Sequence, residues 1–357
     1  MIPIFKPYMP ENVTEGINKI LYSSSLSYAK YGKKFEKDLS RYIGCKNILT
    51  ISSYNQAMMV LLSTLELNKN DEIIASPVSC LASNQPFATR GLKVVWADIN
   101  PHKGTLCVDD VKSKITSKTK AIFHNHFCGY LGNVNEINSL GNEFGIPVID
   151  DCIEAFGSIL NNKKSGNLGT DISVFSFQTV RLPNTINGGG LVFSDDKLFE
   201  KAKKIRDYGI DRSKFRDSIN EISVDCDIKI EGYGALMSEL NSFIGSCQLE
   251  DISKLIKQQE KNAEIWNSRI NRFKNIKPLE ITNNSSPNYW VYGTLTKNKY
   301  ESIRKFRDMG FYASGVHINN NIYSIFNNKI ELKGVSEFIS RFVALPCGWW
   351  FNLSNIE

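Results

Sequence analysis

Between residues 47 and 151 short apolar runs alternate with amphipathic stretches, and that alternation restricts the fold more than any other feature of the chain. Asn47–Ser52 reads as a strand, after which Ser53 caps a helix whose inner face carries Ala57, Val60, Leu61 and Leu65. The pattern returns at Glu72–Ser76 followed by Ser79–Thr89, at Val94–Asp98, at Ala121–His126 followed by Val134–Phe144, and at Pro147–Asp151. Strands separated by helices at this spacing form βαβ units. The fold class expected is therefore α/β, with a mainly parallel sheet between layers of helices.

Two amphipathic helices come first, over residues 11–24 and then around Phe35, Leu39, Tyr42 and Ile43, where Gly44 ends the second. From about residue 236 the pattern changes. Met237–Ile252 and Ile256–Phe273 read as two long helices, Tyr289–Leu295 as a strand, Tyr300–Met309 as a helix and Phe311–Ala313 as a short strand. These features divide the 357 residues into a large domain, 1–235 with its N-terminal arm, and a smaller α+β domain, 236–357, joined after a polar insertion at 211–231.

Composition narrows the function. The net charge of +6 is mild and its lysines and arginines are interleaved with acids, which suits small anionic ligands or a merely basic surface and not a nucleic-acid footprint. Eight cysteines lie mostly within apolar segments with no C-x-x-C pair, as in a reduced cytoplasmic protein. No segment approaches the run of about 20 apolar residues that spans a membrane, and the amino terminus lacks the apolar core of a signal peptide. His124 and His126 can share a strand face, but no acid or cysteine at ligand spacing joins them, so no metal site is expected.

Two stretches carry candidate chemistry. The strand Pro147–Asp151 ends in two carboxylates that point to opposite faces. Either one enters a pocket at the sheet's carboxyl edge while the other caps the next segment, or both are caps. Val174–Phe177 reads as a buried strand that runs through the turn Gln178–Asn187 into the glycines 188–190 and a second strand, Leu191–Ser194. Ser176, Gln178 and Arg181 then stand at a strand's carboxyl end, where open α/β sheets bind ligands. The glycines permit close approach of a ligand or another strand.

These residues resemble the DegT/DnrJ/EryC1/StrS sugar aminotransferases, which have the fold-type I architecture of aspartate aminotransferase. The likeness runs nearly end to end through Ile2–Pro7, Asp71–Pro77, Val148–Cys152 (similar to V-I-E-D-A), Arg206–Ile210 (R-x-x-G-I) and Met237–Leu240 (M-S-E-L). It implies pyridoxal phosphate, keto sugars linked to nucleotides, surface-glycan or natural-product biosynthesis, and a homodimer whose sites are completed across the interface. By this resemblance Asp151 pairs with the cofactor's pyridinium nitrogen, Ser176 holds its phosphate, and His126 either lines the pocket or packs.

The same resemblance marks departures. The Schiff-base lysine corresponds, by spacing, to Arg181, whose guanidinium neither forms an imine nor shuttles protons. The phosphate-cradling Ser-Gly-Thr reads Ser53-Tyr54-Asn55, the ring-stacking aromatic is Cys80, the asparagine from the partner subunit is Gly234, and a glutamine is Glu154. Lys163 and Lys164 lie in a surface turn. The cofactor is therefore expected not to bind covalently, leaving non-covalent pyridoxal or pyridoxamine phosphate as an option. Three readings follow. One is an enzyme in which Arg181 holds an anion and His126, Glu154 or Asp151 moves protons. Another is a silent subunit, pairing with itself or an active homologue, in which Arg181 is ion-paired to Asp151 or Glu154. The last is transamination by a relocated lysine.

Overall fold

The computed structural model describes residues 1–356. A central sheet takes β1 (Asn47–Ile51), β2 (Glu72–Ala75), β3 (Lys93–Trp96), β4 (Thr119–Asn125) and β5 (Val148–Asp151) from the alternating region. A small flanking sheet contains β6 (Ile159–Leu160) and β7 (Lys163–Lys164), after which β8 (Ile172–Ser176) and β9 (Gly189–Phe193) complete the central one. Its order is β1-β9-β8-β5-β4-β2-β3. The pairs from β8 across to β3 are all parallel, as the helical crossovers require. β9 alone runs against the rest, pairing antiparallel with both β8 and β1. The reason is local: Phe177–Gly188 contains no helix to carry the chain across the sheet, so it returns beside the strand it left.

β9 starts two residues earlier than the sequence suggests, because Gly189 and Gly190 are themselves paired to Ser176 and Phe175. A Cβ on Gly189 would lie 3.0 Å from the Ala57 Cβ and 3.0 Å from the Ser53 carbonyl oxygen, so glycine here lets the helix Tyr54–Thr64 sit directly on the strand. The strands β1, β5, β8 and β9 are buried along their whole lengths.

The carboxyl-terminal part is built on one helix, Glu239–Ile270, and not on two. Nothing between Ile252 and Ile256 stops a helix, and Ser238 caps its start by accepting from the Asn241 N–H. A second sheet joins β10 (Ile276–Pro278), β12 (Tyr292–Thr296) and β13 (Phe342–Leu345), while β11 (Ser285–Ser286) belongs with β6 and β7. Phe311 makes a single bridge to Ile2 in place of the expected strand. Trp266, Phe306, Phe311 and Tyr292 form the core between the long helix and this sheet. Among the described residues no helix is long and apolar enough to cross a membrane.

Two motifs noted in the sequence are joints of the scaffold. The Glu239 carboxylate accepts the N–H groups of Ala29 (2.8 Å), Tyr31 (2.9 Å) and Gly32 (2.9 Å), tying the start of the helix Lys30–Ile43 to the start of the long helix. Arg206 donates to the Thr50 carbonyl oxygen at 2.8 Å and to Glu36 at 2.5 Å, with its guanidinium over the Tyr28 ring.

Candidate functional site

The two acids that end β5 are both fully buried, and they point into different surroundings. Asp150 faces β4. Its carboxylate accepts from Thr170 Oγ1 at 2.7 Å and from His124 Nδ1 at 3.1 Å, with His126 Nε2 at 3.5 Å. Burial alone would raise this carboxyl, but the two histidines outweigh it and hold the group well below the ordinary range. Burial also pushes His124 down, so it stays neutral. An acid does join the histidine pair, contrary to the sequence expectation, because in-register pairing of His124 with Asp150 brings it from the next strand. The three side chains are close enough to share a cation. Their protons argue otherwise. Gly132 N–H donates to His126 Nδ1 at 3.3 Å, which leaves the ring proton on Nε2, facing Asp150. The three side chains form a buried polar unit in which Asp150 accepts from His124 and faces the His126 Nε2–H, while Nε2 of His124 has no partner.

Asp151 turns to the opposite face. Its Oδ1 accepts from Ile153 N–H at 3.2 Å and lies 3.5 Å from the Tyr54 hydroxyl, whereas Oδ2 has no partner. Burial pushes this carboxyl up to about 6. Beside it, Glu154 accepts from the Cys128 N–H at 2.6 Å, His317 Nε2 at 2.8 Å and Arg181 Nη1 at 3.4 Å. Against burial, which raises it, His317 and then Arg181 keep Glu154 below its ordinary value.

Arg181 is only 6% exposed. Its guanidinium lies 4.4 Å from the centre of the Trp290 ring, and Phe5 stacks on the same ring at 4.2 Å. Two groups so close to one centroid occupy its two faces. The loop that carries Arg181 is pinned from several sides. Trp290 Nε1 donates to the Val180 carbonyl oxygen, Gln248 accepts the Asn184 N–H, and Asn241 donates to the carbonyl oxygens of Thr185 and Asn187. Glu154, Arg181 and Trp290 border a gap of about 10 Å³, the size of one water molecule.

The charge of Arg181 reaches Asp151, Glu154, Tyr54 and Cys80, so these side chains form one cluster at the carboxyl edge of the sheet. A family model for the DegT/DnrJ/EryC1/StrS aminotransferases matches residues 7–349. The chain belongs to that family. GDP-perosamine synthase of Vibrio cholerae is 28% identical over 310 residues, 85% of this chain and 80% of that protein. The sugar aminotransferase CalS13 of Micromonospora echinospora superposes with a TM-score of 0.93 at 24% identity, covering 99% of this chain and 97% of that one. An E. coli GDP-4-keto-6-deoxy-D-mannose-3-dehydratase, solved with bound hydrated pyridoxal phosphate, gives 0.87 at 20% identity, covering 99% and 97%. At these identities the two structures establish the fold, and relatives in the family include both nucleotide-sugar aminotransferases and dehydratases.

Within that family fold, the residues singled out from sequence are distributed unevenly. Asp151, Glu154 and Arg181 come together. His126 does not join them: it lies with Asp150 on the other side of β5, and its expected place as a proton carrier in the pocket is corrected on that ground. Ser176 is buried at the end of β8, where its hydroxyl accepts from the Gln178 N–H at 3.4 Å. Ser53 caps the helix Tyr54–Thr64 through the Gln56 N–H, and Asn55 faces solvent from its first turn. Cys80, part-exposed, precedes the helix Leu81–Arg90, and burial raises its thiol. A Cβ on Gly234 would meet the Tyr208 hydroxyl at 2.1 Å. Lys163 and Lys164 lie in the flanking sheet, with Lys164 over the Tyr42 ring. His317 and Trp290 went unnoticed in the sequence, since neither stands in a spacing pattern.

Proposed function

We propose that this protein binds a nucleotide-linked sugar in the family's cleft and does not carry out lysine-dependent transamination. The observation that carries the reading is the buried guanidinium of Arg181 beside Glu154, 3.4 Å away, in the loop that follows β8. The reading is supported by the sequence resemblance, in which Arg181 corresponds by spacing between Ser176-Phe177 and Gly188-Gly189 to the family's lysine, and an arginine there forms no imine. The charges that act on Asp151 are those of Glu154 and Arg181, and those that act on Glu154 are His317 and Arg181.

The residues present do not fit a pyridoxal cofactor. The unpartnered Oδ2 of Asp151 would suit a pyridinium nitrogen. Against this, the fully buried Tyr54 phenol already lies on the same carboxylate, Ser53 is engaged as a helix cap, and Cys80 offers no ring to stack on. No step of a reaction is therefore assigned to that cofactor. The nucleotide-linked ligand is inferred from the relatives, whose names include a GDP-perosamine synthase.

A second reading, a silent homodimeric subunit or a partner of an active homologue, is favoured by the same Tyr54–Asp151 contact, because a pocket filled from within needs no ligand. Two measurements separate the readings. Purified protein is expected to lack aldimine absorbance and any bleaching by borohydride, and to be stabilised against heat by at least one of the UDP-, GDP- or dTDP-linked sugars. An absorbing, borohydride-sensitive protein would sink the first claim. No shift with any of the sugars would leave the silent subunit.

A further inference from the structure

His317 is the histidine that reaches the cluster at the carboxyl edge of the sheet, whereas His124 and His126 are turned to the other side of β5. Its Nε2 lies 2.8 Å from Glu154 Oε1. Glu154 is buried and ionised, held below its ordinary value by His317 and Arg181 and fixed in place by the Cys128 N–H. A carboxylate offers only acceptors, so the ring proton sits on Nε2 and the lone pair is left on Nδ1. Nδ1 has no hydrogen-bond partner among the described residues, and it is not sealed from solvent as the Nε2 atoms of His124 and His126 are. The side chain as a whole is 17% exposed.

The backbone that aims this ring is strained. Val316 has a φ of 59°, a left-handed conformation that a β-branched residue rarely adopts. Across it the His317 N–H donates to the Gly315 carbonyl oxygen at 2.7 Å, closing a γ-turn. A residue held this way costs about 1–3 kcal/mol and persists only where its surroundings fix it. Here Ser314 Oγ accepts the Val316 N–H at 3.0 Å. Asn320 donates from its N–H to the Pro77 carbonyl oxygen at 2.7 Å and from Nδ2 to that of Ser79 at 3.0 Å. Strain kept beside a histidine whose free nitrogen meets solvent marks a group that handles a ligand.

We infer that His317 is the proton acceptor of the cleft, with Glu154 as its positioning carboxylate, and that it takes a proton from a carbon beside the ketone of a nucleotide-linked keto sugar. The inference rests on the proposed nucleotide-sugar reading. In the step a C–H bond breaks, an N–H bond forms at Nδ1 and the electron pair moves onto the keto oxygen as an enolate. Return of the proton to carbon closes the cycle, with no oxidant, reductant or cofactor consumed. Glu154 stabilises the imidazolium that forms, because its charge already stands 2.8 Å from the ring. The ligand class follows from the base: a neutral imidazole removes a proton from carbon only where a neighbouring ketone makes that proton acidic.

The test incubates the full chain in heavy water with UDP-, GDP- and dTDP-linked 4-keto-6-deoxyhexoses. Proton NMR follows deuterium exchange at the two carbons flanking the ketone, and heat stabilisation by each sugar reports binding. At least one sugar is expected to bind and to exchange faster than in buffer alone. His317→Ala should slow the exchange about 100-fold or more and Glu154→Gln roughly tenfold. Added imidazole should restore exchange to His317→Ala, which it would not do for a ring that only packs. Should Glu154→Gln fail to fold, the His317→Ala arm decides. Binding without exchange, or exchange that survives His317→Ala, overturns the inference while leaving the nucleotide-sugar reading intact. Neither binding nor exchange with any of the sugars overturns both.

Discussion

Arg181→Met and Glu154→Met should differ sharply in stability, although they remove the two halves of one ion pair. Breaking a buried pair by deleting one partner typically costs about 3–5 kcal/mol, because the survivor is left charged and unpaired. That applies to Glu154→Met, which strands Arg181 and also orphans the Cys128 N–H and the His317 ring nitrogen, each within 2.8 Å of the carboxylate. In Arg181→Met the surviving Glu154 keeps both of those donors and loses only a 3.4 Å contact. What else disappears is the stacking on Trp290, worth about 0.5–2 kcal/mol, and methionine restores part of the packing. The expected losses are therefore about 1–2 kcal/mol for Arg181→Met and at least about 2 kcal/mol more for Glu154→Met. Urea denaturation at pH 7 of both variants and of the double variant measures this, the double being nearer to Glu154→Met than to the sum. If Arg181→Met costs as much as Glu154→Met, Arg181 is a fully used structural partner and the case for a free guanidinium collapses.

Asp151, raised to about 6 by burial, opposes folding where it must ionise. Its contribution is present below the unfolded carboxylate value and lost as pH rises through about 6, so Asp151→Asn should gain stability at pH 8 relative to pH 4.5, by up to about 2–3 kcal/mol for a two-unit shift. Asp150 has the opposite sign, its depressed value stabilising the fold above the unfolded carboxylate pKa, so Asp150→Asn is expected to cost about 3 kcal/mol or more at pH 7; a neutral result there would refute the histidine–aspartate–histidine network. Removing Glu239 by Glu239→Ala leaves three backbone N–H groups at the start of the helix Lys30–Ile43 without acceptors and should lower stability by about 2–4 kcal/mol. A thermal midpoint unchanged from wild type would show that water replaces the carboxylate there.

Periodicity in the sequence was sufficient for the parallel sheet, the capping of the helix after Ser53 and the placing of the Arg181 loop after β8, because each depends on neighbours in the chain. It also put two carboxylates at the end of β5 on opposite faces, which follows from the pleat alone. Continuity of the helix Glu239–Ile270 was missed because an apolar stripe can weaken without the helix ending. The antiparallel β9 was likewise unmarked, since its direction follows from what the preceding loop lacks.

What only the tertiary structure decided is the company each charged residue keeps. Glu154 meets Arg181 across 27 residues and His317 across 163, and Asp150 meets His124 across 26, distances over which local spacing carries no signal. Sequence determined that an arginine, Arg181, stands in the loop after β8. The packing of Trp290 and the donors already serving Glu154 determined that this arginine is buried with its Nε unpartnered, because satisfaction of a polar group is a property of its surroundings and not of its own identity.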